Sequence, residues 1–412
     1  MKQITYWLLC LINLHAHAQT KTTITIGNLD SVYSNILHEQ RKVWVSMPDT
    51  TSPDGIFYPQ HYPVVYMLDG DEASFATVGV MLRQMGGGIG NTGFPQVILI
   101  GIPNTDRNRD LTPTRDMHAP MLDSFSASHT GGGENFISFM EKELIPYIDS
   151  SYPTAPYRVI IGHSFGGLTA MHILINHTRL FNAYLASDPS MFWSNQQLLK
   201  QSKQVLQQDK FTGRSLFLAM ANTMPAGMDT QMAKLDTNFI TLHIRSIMQL
   251  GHYLNNNKNN GLRYVWKYYK DYDHGGVTLP SEYDGLPSLF TFYGFNMPYG
   301  EFFNPSYKKD TIIGEHYKRL SKQMGYTVSP PEQFVSVVCH QLTDMKQFDR
   351  AFYFLQMNLN NYPKSAHAYA DMGRYYTIKG DEQMAVTYYE QSLTLRDDPE
   401  IRNKLNELKQ AK

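Results

Sequence analysis

The stretch Gly162-His163-Ser164-Phe165-Gly166-Gly167 holds the residues of this sequence best suited to chemistry. A serine hydroxyl is a poor nucleophile unless a sharp turn presents it and a base takes its proton. Residues 157–161 (YRVII) form an apolar run that reads as a buried strand, and residues 168–175 continue without a breaker as a helix. Strand, G-x-S-x-G and helix in succession are the context of a nucleophile elbow, with Ser164 as the nucleophile. Glycines two before and two after the serine remove side chains that would clash in so tight a turn. The helix start adds a positive dipole end beneath a developing oxyanion. Alone, the pattern also fits an ordinary glycine-rich turn; the flanking strand and helix favour the chemical reading.

An activated serine needs a base further along the chain. Five histidines lie between the elbow and residue 280: His172, His177, His243, His252 and His274. Of these, His274 sits just past a strand-like run (262–268), in the turn-rich segment 271–276, where a catalytic histidine belongs. His172 and His177 fall on the elbow helix and its end, and His243 falls in a helical pattern, so these three read as packing or surface residues.

These residues need a scaffold. Residues 22–26 and 41–47 read as strands, with a short edge strand at 35–37 between them. Residues 49–63 read as a loop. Apolar runs at 63–68 and 96–102 read as buried strands, and 181–186, 216–220 and 262–268 are strand-like. Residues 136–147 have helical spacing, with Asn135 as the cap. Buried strands alternating with helices predict an α/β fold with a mostly parallel central sheet. Gly88, Gly90 and Gly93 match G-x-G-x-x-G, but they follow a helical segment and lead into a strand, the reverse of a dinucleotide site. No cofactor and no metal is expected.

The runs VVYMLDGD (64–71), NTDRNRDLTP (104–113), FMEKELIPYIDSSYPTAPYRVIIGHSFGG (139–167), DPSMFW (188–193) and DHGGVTLPSEYDGL (273–286) carry a resemblance. Residues 43–292 resemble the esterase family of α/β hydrolases that includes enterobactin esterases, feruloyl and acetyl-xylan esterases and S-formylglutathione hydrolase. The resemblance implies the α/β-hydrolase fold and serine esterase chemistry carried by Ser164 and His274. It places one oxyanion donor at the backbone N–H of Phe165 and the other in the loop after residue 68, which gives Asp71. Relatives place the acid just after the strand at 216–220, where this chain reads Ala221-Asn222-Thr223-Met224-Pro225, without a carboxylate. Asp229 is the nearest acid downstream and is taken as the third member; Asp188, or a Ser–His dyad, is the alternative. The aromatic excess and the segment around Trp193 suggest an aromatic-lined pocket, with Trp193 binding substrate. The expected substrate is an acylated carbohydrate or small acyl ester. The alternatives are a siderophore trilactone of the enterobactin type and a catalytically idle secreted binding protein. Arg107, Arg109 and Arg115 are the cations near such a site, and this segment reads mainly as structural ion pairs.

Lys and Arg together number 36 against 37 Asp and Glu, which gives no electrostatic case for nucleic acid or an anionic membrane. Lys2, an apolar stretch at 4–14 and Ala16-His17-Ala18 have the form of a signal peptide over residues 1–18, which implies a periplasmic or secreted protein with no membrane span after cleavage. Cys339 is then the single cysteine of the mature chain and reads as core packing. The hydrolase domain is expected over 19–300, a linker over 301–330 and helical repeats over 331–412. Tyr369, Met372, Gly373, Tyr376, Ala385 and Tyr389 fall on the tetratricopeptide pattern, and Val338, Cys339, Leu342, Ala351 and Leu355 fall on it 34 residues earlier. Two units are fewer than usually stand alone, so these helices are expected to dock on the preceding domain and to offer a face to a protein partner.

Overall fold

The computed structural model describes residues 24–48, 60–86, 93–119, 121–208 and 210–410. The signal-like segment, residues 49–59 of the first loop, and Gly88 and Gly90 lie outside the described residues. Eight strands form one sheet: β1 Asn28–Ser34, β2 Glu39–Ser46, β3 Tyr62–Leu68, β4 Ile98–Ile102, β5 Thr154–His163, β6 Ala183–Ser187, β7 Arg214–Ala221 and β8 Leu262–Tyr269. Their spatial order is β1-β2-β4-β3-β5-β6-β7-β8. The β1–β2 and β2–β4 pairs are antiparallel and the rest are parallel, the expected α/β-hydrolase arrangement.

The apolar runs of β3 to β7 are explained by cover on both faces, whereas β8 is an edge strand exposed along its middle. Every residue of β3 and of β6 is buried. Successive side chains of a strand point to opposite faces. Val64, Tyr66 and Leu68 therefore join one core with the elbow helix Phe165–Asn176, while Val65 and Met67 join a second core with the helices Glu72–Gly86 and Thr278–Leu289. β1 has a more exposed, alternating pattern, as an edge strand does.

Four local readings change. The first strand starts at Asn28, and residues 35–37 form the hairpin turn, where the N–H groups of Asn35 and Ile36 donate to the Glu143 carboxylate. The helix read at 136–147 starts earlier, at Gly133, and runs to Ser151, so Asn135 lies within its first turn and caps nothing. A wider turn, Met140–Leu144, precedes Pro146, which has no N–H to donate. The stretch read as a linker carries the helix Ile312–Met324.

Beyond it the chain is helical, as expected: Glu332–Asp344 and Phe348–Asn361, then Ala366–Lys379 and Glu382–Leu395, closed by Pro399–Gln410. Gly373 permits close packing, because a Cβ there would lie 2.5 Å from the Tyr389 ring. Phe302, Ile313, Tyr317, Phe334 and Val335 share one core with Leu286 and Phe290, so these helices are fused to the sheet's second face. Cys339 is buried and free. Among the described residues no helix is long and apolar enough to cross a membrane.

Candidate active site

β5 delivers Ser164 at its carboxyl end, and the elbow helix starts at the next residue. Ser164 has φ 58° and ψ −113°, a conformation L-residues rarely adopt, which costs on the order of 1–3 kcal/mol and must be held by its surroundings. The glycines are what allow it. A Cβ on Gly162 would lie 2.4 Å from the Gly166 carbonyl carbon and oxygen, and one on Gly166 would lie 3.1 Å from Asp69 Oδ2. The Ser164 N–H donates to the Ser187 carbonyl at 3.0 Å, which ties the turn to β6.

His274 lies in the loop after β8, and its Nε2 is 3.0 Å from Ser164 Oγ. Its Nδ1 is 2.5 Å from Asp188 Oδ2. A carboxylate oxygen only accepts, so Nδ1–H donates and Nε2 is left to accept the serine proton. Asp188 follows β6 directly, with φ 41°, and is 1% exposed against 40% for the His274 side chain. Burial opposes its ionisation, but hydrogen bonds from His243 and His274 and from the Ala221 N–H outweigh this and hold its carboxyl well below the usual carboxylate range. The structure thus brings Ser164, His274 and Asp188 together in hydrogen-bond sequence.

Asp229 is elsewhere. Its carboxylate caps the short helix Thr230–Leu235, accepting from the N–H groups of Gln231 and Met232 at 2.8 Å each. The residues after β7, where an acid is sought by analogy, do different work: Asn222 N–H donates to the Tyr272 carbonyl and Asn222 Nδ2 to that of Lys270, bracing the loop that carries His274.

The two backbone N–H groups expected as oxyanion donors are placed differently. Phe165 is the first residue of the elbow helix, so its N–H has no intrahelical partner and stands next to the serine. The Asp71 N–H instead donates to the Asp69 carbonyl at 2.9 Å within a tight turn, so it is not presented to Ser164. Asp69 is held by Arg107, through Nε at 2.7 Å and Nη2 at 3.0 Å. Trp193 is also placed differently from the sequence reading. It is 4% exposed, donates Nε1–H to the Thr114 carbonyl and packs edge-on against Phe165, so it supports the elbow rather than facing substrate.

Three residues at the site escape sequence reasoning. His243, on the helix Leu242–Asn256, places Nε2 2.8 Å from Asp188 Oδ2. His163 donates Nε2–H to the His274 carbonyl at 2.7 Å. Burial and the adjacent His274 push its pKa down to about 4, so it is neutral near pH 7. Ser190 Oγ is 3.3 Å from Ser164 Oγ. The position of His163 inside the motif is the one available sequence signal for it. Of the cations in the segment after β4, Arg107 pairs with Asp69 and Arg109 with Glu39 and Asp110, as the structural reading expects, whereas Arg115 donates to the Ser128 carbonyl; Arg41 adds a buried pair, its Nη1 2.6 Å from Asp110 and both 1% exposed.

Two clusters among the described residues have donor sets that could surround an ion: Asp188, His243 and His274 in the site itself, and Glu134, His172 and His177 at the far end of the elbow helix. In the second, the Glu134 carboxylate accepts from both imidazoles, at 2.5 and 3.0 Å.

The Putative esterase family model matches residues 34–231. Over 214 residues the chain is 30% identical to the ferri-bacillibactin esterase BesA of Bacillus subtilis, covering 49% of this chain and 72% of that protein. Over 185 residues it is 30% identical to a siderophore enterobactin esterase of Emericella nidulans, covering 42% of this chain and 59% of that one. Among solved structures, an IroE-like serine hydrolase from Shewanella oneidensis is similar with a TM-score of 0.66 and 28% identity, covering 81% of this chain and 99% of that one.

Proposed function

Because the chain belongs to this esterase family and is a serine carboxylic ester hydrolase, we propose that it hydrolyses siderophore esters of the trilactone type through an acyl-enzyme on Ser164. The observation that carries the reading is the Ser164–His274–Asp188 hydrogen-bond sequence in a chain 30% identical to two siderophore esterases. Ser164 Oγ attacks the ester carbonyl as its proton passes to His274 Nε2, and Asp188 stabilises the imidazolium. The oxyanion forms beside the Phe165 N–H and the positive end of the elbow helix. His274 returns the proton to the departing alkoxide, which leaves as alcohol. A water, activated by the same imidazole, then cleaves the acyl-enzyme and frees the acid.

The sequence alone favours an acylated carbohydrate; the names of the two relatives, a ferri-bacillibactin esterase and a siderophore enterobactin esterase, move the proposal to the siderophore alternative. Exposed apolar side chains support a ligand with apolar surface. Met117, Met121 and Phe125 follow β4, and Met232, Leu235, Phe239 and Ile240 follow β7, all exposed. Both segments leave carboxyl ends of parallel strands, the end of the sheet that carries Ser164 and where ligands of open α/β sheets bind. We further propose export, on the form of residues 1–18. A panel of purified esters tests the substrate: an enterobactin-type trilactone is expected to exceed feruloyl and acetyl-xylan esters in kcat/KM by at least about tenfold. The opposite ranking overturns the substrate proposal.

A further inference from the structure

We propose that His243 is a positioning residue of this site: acting through Asp188, it sets the basicity of His274 and so the pH at which Ser164 is activated. The inference rests on the serine-hydrolase reading above.

Asp188 has one oxygen for two imidazoles. Oδ1 is taken by the Ala221 N–H at 2.8 Å. Oδ2 accepts from His274 Nδ1 at 2.5 Å and from His243 Nε2 at 2.8 Å. The two rings meet edge to face with centroids 5.0 Å apart, and Phe192 closes on His243 at 5.4 Å. A carboxylate oxygen shared by two donors is a weaker acceptor for each than an unshared one. The carboxylate also carries one negative charge, which can match one imidazolium. During acyl transfer that imidazolium must be His274. Whether His243 donates as a neutral ring or as a cation, its presence on Oδ2 lowers the proton affinity of His274.

The titratable groups facing the pair are few. Asp188 faces both rings, and His163 faces His274 with centroids 4.5 Å apart and is neutral near pH 7. Asp69 acts on His163 from beyond and is itself paired with Arg107. Among the described residues no lysine or arginine forms an ion pair with Asp188, His243 or His274. The second imidazole is therefore the group on this carboxylate best placed to tune the base.

The test is the pH profile of kcat/KM on p-nitrophenyl acetate for wild type, His243→Phe and His243→Gln, whose acid limb reports the base of the free enzyme. His243→Phe keeps a flat ring and removes the donor; His243→Gln keeps an N–H. The acid limb of His243→Phe is expected to move to higher pH by about half a unit or more, with His243→Gln close to wild type. A purely structural role would lower kcat/KM by one factor at every pH. An unshifted or lowered limb in His243→Phe, or an equal shift in His243→Gln, overturns the proposal. Should His243→Phe not fold, a carbon-13 histidine titration of the wild-type protein decides: coupled, biphasic curves for His243 and His274 are expected, and independent curves overturn it. Fluorophosphonate labelling of Ser164 in the same samples separates the two levels. Unshifted limbs with Ser164 still labelled defeat this inference alone, whereas turnover by Ser164→Ala defeats the serine reading beneath it.

Discussion

Asp188→Asn is close to isosteric, and its cost can be worked from the contacts of one carboxylate. Oδ1 accepts from the Ala221 N–H, and Oδ2 accepts from His274 and His243. An amide offers one accepting oxygen and one donating nitrogen. With the oxygen toward Ala221, the NH2 faces two imidazole N–H groups, and His274 must adopt the tautomer protonated on Nε2. That nitrogen then cannot take the proton of Ser164, 3.0 Å away. With the amide reversed, the NH2 meets the Ala221 N–H within a buried strand end. Either way, tautomer control and the negative charge are lost. The comparable change in a serine protease triad costs about 10⁴ in kcat, near 5.5 kcal/mol of barrier. A fall in kcat/KM of about 10³ to 10⁴ on p-nitrophenyl acetate is expected, with the circular dichroism of the wild type. Asp229→Asn is the control: asparagine caps a helix about as well as aspartate, so activity within about twofold of wild type is expected. Asp188→Asn within tenfold of wild type, or a larger loss in Asp229→Asn, would refute the reasoning.

Other expectations follow from the same contacts. Gly162→Ala should fail to give folded protein by gel filtration, since its Cβ would sit 2.4 Å from Gly166 backbone atoms that cannot move aside. His163 adds an acid sensitivity to stability: its folded pKa, about 4, lies below its unfolded value near 6.5, so the unfolded state binds the extra proton between them. That contribution is complete above about pH 6.5 and is lost as pH falls toward 4, on the order of 3 kcal/mol, and His163→Gln should flatten this part of the Tm–pH curve. Truncation after residue 298 would strip Phe302, Ile313, Tyr317 and Phe334 from the core that holds Leu286 and Phe290, at about 2 kcal/mol for each large side chain, and should abolish cooperative thermal unfolding.

What could be read from the sequence follows physical lines. Buried parallel strands show as apolar runs, so β3 to β7 are legible to within a few residues, and the edge strand β8, exposed along its middle, is legible from its β-branched and aromatic residues instead. The elbow is legible because strand, G-x-S-x-G and helix follow one another directly in sequence, and Gly162 is forced by Gly166 four residues on. His274 is legible because a strand and a turn flank it closely in sequence. The acid is harder to find, because the partner of His274 lies 86 residues earlier and an aspartate after a strand looks like any turn residue. His243 reads as an ordinary helical residue, since helical spacing says nothing of a carboxylate brought from β6. Trp193 and Asp71 are misplaced for a related reason: proximity in sequence to a site does not say which way a ring or an N–H points.

The most direct measurement is peptide mass mapping after brief exposure to a fluorophosphonate, run on wild type, Asp188→Asn and Asp229→Asn. A single adduct on the peptide containing Ser164 is expected, forming at the wild-type rate in Asp229→Asn and at least about a hundredfold more slowly in Asp188→Asn. An adduct on another residue, or equal rates in all three proteins, would contradict the account.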